Sequence, residues 1–220
     1  MPRVATPAST PTETALVVLI CFGYFILFSI QAVLTGFPVP PLSDSSLLGT
    51  IILEGMLGTA ALCFLYARAY PITELVPTPT GVGLLVGVAL YAVAFLIDSL
   101  LRLAFGAAHP ATQAINQMVA EASASLPVII FVSVLNGFYE ETFLIGYLFR
   151  ATESLGGAFA LTVTSLVRIS YHLYQGPLGV LSVLGFGAVL GLYYWRTRKL
   201  WPTVVAHILG DLVVLTWNHW

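Results

Sequence analysis

The chain has 220 residues, 58% hydrophobic and 8% charged, with a net charge of −2 and a mean hydropathy of +0.94. So few polar groups cannot cover a water-soluble globule of this size, which leaves lipid as the solvent. The longest basic cluster is Arg196, Arg198 and Lys199, too small an electrostatic footprint for a nucleic-acid binder.

Backbone groups in hydrocarbon must bond to one another, so runs of about 20 apolar residues mean membrane-spanning helices. The alternating pattern of a β-barrel is absent. Residues 1–14, rich in Pro, Thr and Ala, are expected to be a disordered tail, and residues 15–220 a single transmembrane domain. Apolar runs predict seven spans, at 15–35, 47–67, 81–104, 127–149, 158–175, 178–195 and 200–218. The fold class is therefore all-α, a polytopic transmembrane helix bundle. The first run is too long for a cleaved signal peptide. Cys21 and Cys63 fall inside spans with no C-x-x-C partner and read as small apolar residues. The connection 105–126 holds His109, Gln113, Asn116, Gln117 and Glu121 among alanines, which suits a short amphipathic helix at the interface. With the N-terminus in the cytoplasm, Arg3, Arg68, Arg150, Arg196, Arg198 and Lys199 lie inside and only Arg102 near the outer side, as short cytoplasmic loops favour Lys and Arg.

An ionisable side chain at the bilayer centre costs at least about 2.5–3.5 kcal/mol, so each needs an explanation. Asp98 and Arg102 are one turn apart and account for each other as an i,i+4 pair. Glu54 stands alone in the second span and has no explanation in the sequence. The rest gather in the last four spans: Glu140 and Glu141, Arg168 and His172, His207 and Asp211. Residues four apart share a helix face, so Arg168 with His172, and His207 with Asp211, can each line one cavity. Glu140 and Glu141 differ by about 100° around an α-helix, so one can point into that cavity while its neighbour braces the rim or meets a cation. A desolvated carboxylate with a histidine nearby can deprotonate water, and a second histidine can stabilise an oxyanion. No G-x-S-x-G element is present, so nothing points to a serine nucleophile. Hydrolase, transporter and structural polar network remain open on these residues alone.

Three stretches carry a resemblance: Glu140 and Glu141 followed by Gly146, Tyr147 and Leu148; Ser170 to Gly176 around His172; and Trp201 with Pro202 followed by His207 and Asp211. In order and spacing they resemble the motifs of the CAAX prenyl protease and bacteriocin-processing family, of abortive-infection type. The resemblance covers about residues 127–216 as a protease-like core. It implies an intramembrane endopeptidase in which Glu140 and His172 activate water while His207 and Asp211 form the oxyanion site, with Glu141 and Arg168 in support. An ionised Asp211 is a poor oxyanion donor, so it is expected to orient His207 or to be protonated. The implied partners are the lipid bilayer and a peptide or lipidated protein substrate; the short chain, with no organelle-targeting signal, suits an integral protein of a prokaryotic plasma membrane.

The chain departs from the pattern twice. Ile145 stands where the family usually has Arg, four residues after the second Glu, and Arg168 stands where it usually has Phe, four before the His. Arg168 is thus expected to supply Glu141 with its cation from another helix, Arg150 being the alternative. The departures also admit a catalytically silent immunity or scaffold protein. Relatives are often described as metalloproteases, and Glu140, His172, His207 and Asp211 are ligand types that zinc accepts. Without an H-E-x-x-H, a glutamate mechanism with no cofactor is preferred, a divalent metal such as zinc on those four residues being the alternative.

Overall fold

A computed structural model describes residues 9–37, 42–105 and 113–216. Helix α1 is Pro11–Leu34. It starts at 11 rather than 15, inside the stretch expected as a disordered tail, because Thr10 caps it. Its hydroxyl accepts the Glu13 amide at 3.2 Å while the Glu13 carboxylate accepts the Thr10 amide at 2.8 Å. Pro11 sits in the first turn, where a missing N–H is no loss. Helix α2, Asp44–Ala67, starts from a similar box between Ser43 and Ser46. Helix α3 is Gly81–Phe105, and α4, Gln113–Ala120, is the short helix expected in the connection; His109 lies outside the described residues. Helix α5, Leu126–Glu140, runs on without a break into a π-helical stretch, Glu141–Phe149. Helices α6, Gly157–His172, α7, Gly176–Thr197, and α8, Trp201–Thr216, complete the bundle.

Five stretches are long and apolar enough to cross a membrane, and α8 is a shorter apolar helix. One of the five, the 41-residue run Gly157–Thr197, is folded in two. A 3-10 turn at Leu173–Gln175 leads into Gly176 at φ 76°, a left-handed backbone that favours glycine, and the chain doubles back. A methyl group at Gly187 would stand 2.9 Å from Cδ of Arg168, and one at Gly191 2.5 Å from Leu161, so α6 and α7 pack antiparallel. Counting them separately and adding α8 gives seven apolar helices among the described residues, roughly compatible with the predicted spans.

The helices alternate in direction, and their ends meet accordingly. At one end Arg68 pairs with Glu13 at 2.5 Å, Arg150 with Glu74 and Arg198 with Glu153. At the other, the Ser125 amide donates to Asp44 at 2.6 Å and Ser29 donates to the Tyr171 carbonyl at 2.6 Å. Arg68, Arg150 and Arg198, all assigned to the same side by charge, thus do share one end of the bundle. Asp98 and Arg102 form the expected pair at 2.7 Å near the opposite end, and Ser182 donates to Asp98 at 2.5 Å.

The stretch Leu126–Leu155 is the centre of the molecule: 56% of its apolar window is buried, against 11% for α3. Every residue from Phe143 to Phe149 is buried, as befits a helix surrounded on all sides. Close approach between helices is set by glycine. A Cβ on Gly137 of α5 would stand 2.7 Å from Ile208 of α8, and one on Gly87 of α3 2.5 Å from Val205. Without a hydrophobic drive between helices in lipid, such small-residue contacts let backbones approach and gain packing energy. They hold α8 between α3 and α5, which is what carries His207 to the acidic helix.

Candidate functional site

Glu140 and Glu141 stand where α5 widens into the π-helix. An extra residue per turn changes where successive side chains point, and both carboxylates meet the same guanidinium. Arg168 Nη2 donates to Glu141 Oε1 at 2.6 Å, and Nη1 lies 3.6 Å from Glu140 Oε2. Glu141, fully buried, thus meets a cation, and Glu140 shares the same cluster. Arg168 is itself buried and stacks against Phe186 at 5.7 Å. Arg150, the alternative cation, is engaged by Glu74.

Gly187 makes room for the Arg168 stem. Gly187→Ala is expected to push that stem aside and lower stability by about 1–3 kcal/mol, the usual effect of overpacking. Thermal melting in detergent measures it, and an unchanged melting temperature would show that the site yields without strain.

His207 lies across the cluster from Arg168. Its Nδ1–H donates to Glu141 Oε1 at 2.8 Å, which fixes the ring, and Nε2 is 3.8 Å from both Glu140 Oε2 and Asp211 Oδ1. Of the two expectations for Asp211, to orient His207 or to be protonated, the first is not what the geometry has: 3.8 Å exceeds a hydrogen bond, and Glu141 orients the ring. Asp211 is held by Asn136, whose Nδ2 donates to Oδ2 at 2.8 Å and lies 3.4 Å from His207 Nε2. His172 ends α6, and its Nδ1 donates to the Arg168 carbonyl at 2.9 Å, which leaves Nε2 as the acceptor. Among the described side chains the hydroxyl that meets Glu140 is that of Tyr171, next to His172, and it donates to Oε2. Tyr171 in turn stacks on Phe22 of α1 at 4.9 Å.

Arg168, His172, His207 and Asp211 line one cavity of about 480 Å³, which continues to Asp98 and Arg102. That volume lies within the range of small-molecule and peptide-sized sites. Sequence reasoning missed Asn136 and Tyr171. Asn136 falls one turn before Glu140, the spacing that places two residues on one α-helical face, and that was the available signal. Tyr171 gave none beyond adjacency to His172.

The donor set does not fit a metal as arranged. Among the described residues no three His, Cys, Asp or Glu side chains are grouped to hold an ion. The Arg168 guanidinium already stands between the two glutamates.

Residues 122–213 match the family model described as type II CAAX prenyl endopeptidase, Rce1-like. The match contains all three motif stretches and every site residue named above from α5 to α8. No curated protein matches the chain, and no solved structure does.

Proposed function

We propose, from the premise that this membrane chain carries a domain of the Rce1-like type II CAAX prenyl endopeptidase family, that it hydrolyses a peptide bond in a membrane-anchored or membrane-proximal substrate. The observation that carries the reading is the meeting of Glu140 with Arg168 and His207, which together with His172 and Asp211 line the cavity. Glu140 is the base. The Tyr171 hydroxyl and Arg168 steady its carboxylate, and His172, with Nε2 available, shares the proton taken from water. The water oxygen bonds to the carbonyl carbon and its proton passes to Glu140. As an imidazolium, His207 donates from Nε2 to the oxyanion, and the Asn136 amide, anchored on Asp211, adds a neutral donor. When the C–N bond breaks, the proton held by Glu140 goes to the leaving amine. One water is consumed and no covalent enzyme intermediate forms.

Purified protein in lipid, offered a panel of membrane-anchored peptides, tests this directly. Wild type is expected to release a product that both Glu140→Gln and His172→Ala fail to release; cleavage retained by both variants would overturn the site assignment. Treatment with a strong chelator is expected to leave the rate unchanged, because the cation in the cluster is Arg168. Loss of the rate, with return on one equivalent of zinc, would replace this mechanism by a metal-dependent one.

A further inference from the structure

Glu54 of α2 takes no part in the hydrolysis described above and lies outside the 122–213 match. It is 4% exposed, and among the described residues its Oε2 has no hydrogen-bond partner. A bare carboxylate is costly in such a place.

Its neighbours on α2 locate it. Ile51 shares a buried apolar cluster with Val132 and Leu135 of α5, and a Cβ on Gly58 would touch Tyr139 and Phe143 at 3.3 and 3.5 Å. The two helices run the same way, so Glu54 falls beside the turn of α5 that bears Asn136, Tyr139 and Glu140. The groups that act on it electrostatically are Glu140 of α5 and His207 and Asp211 of α8. Tyr139 and, beyond α6, Tyr174 are also within its field. On α1 the Cys21 carbonyl accepts the Tyr139 hydroxyl at 2.5 Å. The nearby hydroxyls are thus committed elsewhere, Tyr139 to Cys21 and Tyr171 to Glu140, and the Asn136 amide gives one N–H to Asp211 and stands 3.4 Å from His207.

Charge counting completes the argument. Glu140, Glu141 and Asp211 lie within 3.8 Å of Arg168 or His207, so three carboxylates already face two cations. A fourth anion behind them would be uncompensated in a medium that tolerates no such excess.

We propose that Glu54 is a positioning residue of this site, the carboxyl that keeps a proton so that Glu140 and Asp211 stand as anions against Arg168 and His207. The kinetic consequence rests on the hydrolytic reading above; the protonation does not. As pH rises and the Glu54 proton leaves, a new negative charge faces Glu140 and opposes formation of the oxyanion, so the rate falls. Glu54→Gln cannot make that charge. One pH unit above the wild-type alkaline midpoint, its rate relative to its own neutral value is expected to exceed the wild-type ratio by about tenfold. Infrared spectra of the wild type in lipid are expected to contain the carbonyl stretch of a protonated carboxyl at neutral pH. That band should vanish in Glu54→Gln and titrate in wild type with the midpoint of the alkaline limb. Identical alkaline limbs in the two proteins, or no band lost on substitution, would overturn the proposal. If wild type cleaves no peptide, the hydrolytic reading fails while the infrared band still decides the state of Glu54.

Discussion

Replacing Glu140 with glutamine is expected to lower peptide hydrolysis by roughly 10²- to 10⁴-fold, the usual worth of a positioned general base, with a small change in melting temperature. The side-chain amide keeps an oxygen that can accept the Tyr171 hydroxyl, so the local hydrogen bond survives. The interaction lost with Arg168 spans 3.6 Å, and Arg168 retains its closer bond to Glu141. Glu141→Gln should behave in the opposite way. Glu141 is fully buried and takes both Arg168 and His207, so its neutralisation weakens the joint between three helices before it affects chemistry. Comparing melting temperature with rate for the two variants separates the base from the brace. Equal losses of stability in both would mean that the two carboxylates do the same structural work.

The second large effect is expected at Arg168. Removing one partner of a buried ion pair leaves the other uncompensated and costs about 3–5 kcal/mol, and Arg168→Glu goes further by placing a third carboxylate against Glu140 and Glu141. The variant should be strongly destabilised in detergent. Adding Glu141→Arg restores opposite charges at the 2.6 Å contact, and the double variant should recover part of the lost melting temperature. Recovery stays partial because the new arginine also faces His207, which now donates to Glu141. A double variant no more stable than Arg168→Glu alone would show that this pair is not what joins α5 to α6.

Much of this arrangement was legible in the residues, and for identifiable reasons. Apolar runs mark helices in lipid because nothing else satisfies the backbone there. The Asp98 and Arg102 contact follows from helical spacing. The missing cation at Ile145 and the surplus one at Arg168 suggested a partner on another helix, and Arg168 does donate to Glu141. What could not be read has a common cause: it depends on side chains meeting across helices. Asn136 and Tyr171 are ordinary amide and phenol groups whose importance comes only from what lies opposite. The π-helical stretch escaped for a related reason. A widened turn is held by the surroundings of a buried segment rather than by a periodic pattern.

The doubling back at Gly176 bears on a question of parity. Taken as one rod, Gly157–Thr197 would make six traverses with α8 and leave residues 11 and 216 in the same compartment. Folded at the turn, it would make seven, an odd number, and an antibody tag beside Pro11 and one beside Thr216 are expected to face different compartments.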